Sequence, residues 1–356
     1  MSEEVSARIL KKEELGRWIE EIRRERAVIA PVTREGVTFF RPIENASEID
    51  WGYTSTMLPP SKAIYTPQQT LLRFVKEGTS YRIEEALPRA EKRVLLGVHP
   101  CDLHGLLVLE RTFLGETKDV YYAASRGNVL IIGLNCQNVG DNCFCASMGT
   151  GPFFGYWMGQ GPPQGCDALL TDLGDRFLVE TFGERGEMLV RRARSSPQTP
   201  DDVGEKLKRE AAVKEQFRKR LETAELPALL MRNTDHPVWR ITGEGKCLSC
   251  TNCTMVCPTC FCYETWDRAE LDLSVIERIR QWDSCQDERF AQVHGGNFRS
   301  TREARLRQFV CHKLSYWVEQ YGCFGCVGCG RCITWCPTGI DLTEIAAEIR
   351  GDEERK

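Results

Sequence analysis

No apolar run in this sequence approaches the roughly 18 residues that a bilayer-spanning helix requires. Long runs of one charge are missing too. Forty-seven Lys and Arg stand against 51 Asp and Glu, for a net charge of −4, so nothing marks a nucleic-acid groove or a membrane surface. The basic stretches Arg191–Arg194 and Arg218–Arg220 are too short and mixed to serve a DNA-binding regulator. The start, Met1-Ser-Glu-Glu-Val-Ser-Ala-Arg8, is polar and carries acids, unlike a signal peptide or a mitochondrial presequence. No Gly-x-Gly-x-x-Gly loop follows a strand, and no Ser–His–Asp arrangement stands out. These absences predict a soluble, cytoplasmic chain with no dinucleotide site of that kind and no hydrolytic centre.

Cysteine, by contrast, is abundant: 18 in 356 residues. In a reducing compartment stable disulfides are rare, and disulfide scaffolds are usually small secreted domains, so metal ligation is the better reading. Cys326-Val-Gly-Cys329-Gly-Arg-Cys332-Ile-Thr-Trp-Cys336-Pro337 has the C-x₂-C-x₂-C-x₃-C-P spacing that holds [4Fe–4S] clusters in bacterial ferredoxins. Cys247-Leu-Ser-Cys250-Thr-Asn-Cys253-Thr-Met-Val-Cys257-Pro258 repeats it. In two-cluster ferredoxins the cysteine before proline reaches across to the other cluster. That assigns Cys247, Cys250, Cys253 and Cys336 to one cluster, and Cys326, Cys329, Cys332 and Cys257 to a second. Zinc in Cys₄ sites is the competing reading, but zinc ribbons need no fourth cysteine followed by proline.

Length predicts two domains: an α/β domain over 1–240, then a ferredoxin-like two-[4Fe–4S] domain over 241–356. Arg93–Val98, a helix over Leu103–Phe113 and Asn128–Leu134 read as a βαβ unit. Ala168–Glu180 reads as a hairpin, Ser195–Asp202 as a linker, and Val203–Glu222 as a charged helix. The cluster domain reads as helical. Leu306, Phe309, Val310, Trp317, Val318 and Tyr321 form one stripe ended by Gly322, and Asp341 caps a last helix carrying Leu342, Ile345, Ala346 and Ile349 inward. The 68 residues between Cys257 and Cys326 read as a helical insertion.

Cys101 and Cys136 each follow the carboxyl end of a predicted parallel strand, where open α/β sheets build their sites. Cys143 and Cys145 come on the next loop. Four cysteines at one sheet edge suit a third [4Fe–4S] cluster; the alternative is buried free thiols, and convergence of four favours the cluster. His104 reads as a helix-surface or core histidine, and Cys166 as structural. Cys260 and Cys262 read as packing near a cluster, with ligation of an additional one alongside Cys285 or Cys311 as the alternative. Trp282, Trp317 and Trp335 read as apolar cover for the clusters. The stretch Gly151–Met158 reads as an interface or as core.

Trp282-Asp-Ser-Cys285, His294-Gly-Gly-Asn-Phe-Arg299, Arg305-Leu-Arg-Gln308, His312-Lys313-Leu314, Val256–Cys262 and Gly325–Pro337 together resemble one family. It is the iron–sulfur electron-transfer family to which the beta subunit of sulfhydrogenase and the corresponding iron–sulfur component of anaerobic sulfite reductase both belong. Gly97–His104 and Cys143-Phe-Cys145 extend the resemblance into the N-terminal region. It implies a non-catalytic relay, with a flavin/NAD(P)-binding reductase subunit on one side and a catalytic hydrogenase or sulfite/sulfur reductase subunit on the other. The alternatives are an electron-transfer subunit of a heterodisulfide-reductase-type complex, or a redox enzyme with its own open Fe–S site.

Overall fold

The computed structural model describes residues 5–89, 91–155 and 165–355. Its strands, in chain order, begin with β1 (Val5–Lys11), β2 (Ala27–Arg34), β3 (Val37–Pro42), β4 (Gln68–Glu77), β5 (Ser80–Glu85) and β6 (Arg93–Val98). There follow β7 (Val129–Leu134), β8 (Ala168–Asp172), β9 (Arg176–Phe182), β10 (Ser195–Pro197), β11 (Tyr263–Ala269) and β12 (Val275–Trp282). An eight-stranded sheet has the order β10-β1-β9-β8-β7-β6-β2-β3. Its centre, β2-β6-β7-β8, is parallel, and its flanks are antiparallel.

The parallel centre follows from the sequence. Val-Leu-Ile-Ile-Gly-Leu in β7 is buried at every position, as suits a strand covered on both faces. Helix Pro100–Phe113 links β6 to β7, which completes the expected βαβ unit. The hairpin expected over Ala168–Glu180 is β8–β9.

Three expectations need correction. The insertion between the two cysteine loops is not simply helical. It opens with hairpin β11–β12, which joins β4–β5 in a four-stranded antiparallel sheet of order β11-β12-β4-β5. Ser195–Pro197, expected to be linker, pairs with β1. The charged helix spans Pro200–Lys214, not 203–222; Thr199 and Asp202 form its capping box.

Elsewhere the helical expectations hold. Helix Arg302–Cys311 continues through a π-turn, His312–Tyr316, into Trp317–Tyr321 and stops at Gly322, whose φ is 68°. Asp341 caps Leu342–Glu353 by accepting from the Thr343 amide at 2.8 Å, and Leu342, Ile345, Ala346 and Ile349 are buried. These helices share one apolar core with Phe144, Met148, Leu221 and Leu230, so residues on both sides of position 240 build it. Of Gly151–Met158, Phe154 is buried in the sheet's core, while Tyr156–Met158 lie outside the described residues.

Candidate metal centres

The two Cys-x₂-Cys-x₂-Cys loops take the same backbone course. Ser249 and Thr251 in the first have φ of 51° and 67°; Gly328 and Gly330, at the matching places in the second, have 65° and 72°. These left-handed residues turn the chain back around a centre and aim amides inward. The Ser249 amide donates to the Cys247 Sγ and the Gly328 amide to the Cys326 Sγ, each at 3.4 Å. Each loop then runs into a one-turn helix, Asn252–Met255 or Arg331–Thr334.

Three cavities result, each lined by the four cysteines expected to hold one cluster. Cys247, Cys250, Cys253 and Cys336 line the first, with Leu306, Phe309 and Val310. Cys257, Cys326, Cys329 and Cys332 line the second, with Phe144, Phe309 and Lys313. Cys101, Cys136, Cys143 and Cys145 line the third, with His99, Asp102 and Arg331. Cys101 lies in the first turn after β6 and Cys136 just past β7, which are parallel neighbours. The cavities abut: Cys332 lines the first and second, and Cys329 the second and third.

The loops lining the second and third cavities meet backbone to backbone. The Phe144 amide donates to the Gly328 carbonyl at 2.8 Å, and the Thr150 hydroxyl to the Val327 carbonyl at 2.6 Å. A Cβ on Gly328 would stand 2.6 Å from the Cys145 Cα, and one on Gly330 would stand 2.2 Å from the Asn142 carbonyl oxygen. Across the same seam Arg331 forms a bidentate pair with Asp102 at 2.6 and 2.7 Å, both nearly inaccessible, and donates to the Thr56 carbonyl and hydroxyl. Sequence reasoning missed this pair; the adjacency Cys101-Asp102 and the Arg331 inside the loop were its traces.

None of the 18 cysteines is in a disulfide. Burial pushes the Cys101, Cys145 and Cys332 thiols well above the ordinary range, and those of Cys326 and Cys329 up to about 12 and about 11. Bare thiolates would be costly in these rings, and iron supplies the positive charge that lets them ionise. Among the described residues, no three Cys, His, Asp or Glu side chains close around the position of one metal ion. Rings of four sulfurs about a cavity suit a larger inorganic group, and the residues fit an iron–sulfur cluster.

Cys257 departs from the trend: a hydrogen bond from the Cys260 thiol, helped by Lys313, outweighs burial and holds its pKa well below the ordinary value. Lys313 is itself buried and donates to the Thr259 carbonyl and hydroxyl at 3.1 and 2.8 Å. Burial works against its charge, but the Cys257, Cys260 and Cys326 sulfurs hold its pKa above the ordinary lysine value.

His104 is a core histidine, as expected: its Nδ1 contacts the Pro100 carbonyl at 2.8 Å, and burial lowers its pKa to about 4. Cys166 donates to the Ala168 carbonyl at 2.8 Å inside the sheet. Cys260 packs beside Cys257 and Cys262 beside Cys285; Trp317 is buried against Gly325, the residue before Cys326.

Residues 246–340 match the family model for a 4Fe-4S dicluster domain. Across almost the whole length, the chain is 34% identical over 330 residues to sulfhydrogenase 2 subunit beta of Pyrococcus furiosus, an alignment that spans 91% of this chain and 92% of that one. The chain belongs to the sulfhydrogenase beta-subunit family. It is an iron–sulfur electron-transfer subunit, and the match to the dicluster domain sets the zinc reading aside. No solved structure matches it. Among the described residues, no helix is long and apolar enough to cross a membrane.

Proposed function

We propose that this subunit is a linear relay of three [4Fe–4S] centres. Cys247, Cys250, Cys253 and Cys336 would hold the first, Cys257, Cys326, Cys329 and Cys332 the second, and Cys101, Cys136, Cys143 and Cys145 the third. Each cluster, when bound, takes up or gives back one electron. The observation that carries the reading is that neighbouring cavities share a cysteine, Cys332 for the first pair and Cys329 for the second.

The protein's part is to space the rings, keep water out and open one end. Cys250 is exposed, whereas none of the four cysteines of the third ring is. The first ring is therefore the port facing one partner. At the two ends of the relay we place a flavin/NAD(P)-binding subunit, on one side, and a catalytic hydrogenase or sulfite/sulfur-reducing subunit, on the other. The complex belongs in the cytoplasm, where cysteines outside any disulfide stay reduced.

The test is iron and acid-labile sulfide on anaerobically purified full-length protein, with electron paramagnetic resonance of the reduced state. Three centres predict about twelve of each per chain and two predict about eight. In the first case Cys101→Ser with Cys143→Ser should bring the count down to about eight. A native count of about eight that this double variant leaves unchanged removes the third centre, and a colourless protein without sulfide removes the relay.

A further inference from the structure

The middle centre has a problem that the first lacks. Reduction adds negative charge to an already anionic group, and a sealed apolar site disfavours this. The exposed Cys250 lines the first cavity, whereas no cysteine lining the second is exposed. The second is walled by Phe144, Val327, Phe309 and Leu342.

One charged side chain lines that second cavity, Lys313. It is 3% exposed, and among the described residues its ammonium donates only to the two Thr259 oxygens. Among the described residues no carboxylate pairs with it. Other cations nearby are placed differently. Lys62 donates to the Cys260 carbonyl at 3.3 Å and lies over the Trp282 ring, outside the lining of the second cavity. Arg331 is neutralised by Asp102. Arg305 is turned to the Arg299 and Ser300 carbonyls and the Ser249 hydroxyl, behind the first loop. A buried ammonium without a counter-ion is strongly disfavoured unless an anion stands beside it. The Thr259 oxygens orient it, but they carry no full charge.

We infer that Lys313 is the internal counter-cation of the middle cluster, and that its charge raises that cluster's midpoint potential enough for a water-excluded centre to accept an electron. This rests on the relay reading above. Lys313 is a positioning residue for charge, not a ligand.

The experiment is a potentiometric titration of the reduced-cluster signals in the full-length protein, comparing native chain, Lys313→Met, Lys313→Gln and Lys313→Arg. The middle cluster's signal is identified beforehand as the one altered by Cys326→Ser. Both neutral variants should lower that centre's equilibrium constant for reduction about tenfold, a shift of about 59 mV for a one-electron couple. Lys313→Arg should stay near the native value, and the first cluster's potential should not move. Loss of the middle cluster in both neutral variants with retention in Lys313→Arg would support the same conclusion through iron content. A loss that arginine does not rescue, no shift, or a shift confined to the other cluster overturns it. Absence of iron and sulfide from the unmodified chain would instead sink the relay itself.

Discussion

The loops Cys247–Cys253 and Cys326–Cys332 are one backbone written in two chemistries. Both place left-handed residues two and four positions after the first cysteine. In the first loop those residues are Ser249 and Thr251, which pay conformational strain in an open setting where a side chain has room. In the second they are Gly328 and Gly330, where the backbones of Cys145 and Asn142 occupy the space a side chain would need. Ligand spacing thus dictates the turn, whereas the neighbour dictates the residue. A loop facing water keeps side chains; a loop pressed against another cysteine loop gives them up, which brings the next cysteine ring into contact.

The largest effect should come from breaking the ion pair that pins this seam. Asp102→Ala leaves the Arg331 guanidinium buried and uncompensated, and should cost about 3–5 kcal/mol. Denaturant unfolding measures it. A loss under about 1 kcal/mol, the range of exposed ion pairs, would show that water reaches Arg331. Next comes Gly330→Ala. With the Asn142 oxygen 2.2 Å from the new Cβ, the two loops must part, at a cost of about 3 kcal/mol from overpacking together with left-handed strain. Thr251→Ala in the other loop should stay within about 0.5 kcal/mol of native, as for a surface change. If Gly330→Ala and Thr251→Ala cost the same, the close approach is not what selects glycine.

Much of this was readable from residues near one another. Eight candidate ligands came from spacing alone, because a loop wrapping three corners of a cluster needs two-residue gaps. Asp341 and Gly322 were readable as helix ends because capping is local chemistry. What was hidden depends on distant partners. Tyr263–Ala269 is exposed along its whole length and carries Glu264, Asp267 and Arg268, so its pattern shows no buried face; it is a strand because β12 pairs with it and with β4, some two hundred residues earlier. The charged helix stops at Lys214 because Gln216 turns to bond the Val139 amide and the Gln137 carbonyl. Arg331 and Asp102 lie 229 positions apart. Only convergence at the carboxyl edge of β6 and β7 made the third ring visible beforehand.

Asp341→Ala should remove the amide acceptor at the start of the last helix together with the ion pair to Lys219, and cost about 1–2 kcal/mol, read by thermal unfolding with cluster content unchanged. Smaller still, and opposite in sign, is Thr251→Gly. The native φ of 67° costs a β-branched residue about 1–2 kcal/mol that glycine does not incur. Glycine's extra freedom in the unfolded chain takes back about 0.4–1 kcal/mol, so the variant should be slightly more stable, by about 0.5 kcal/mol. It makes the open loop resemble the sealed one at that position. A destabilised Thr251→Gly would mean that the threonine is held there by a contact outweighing its strain, and the two loops would then differ in more than their neighbours.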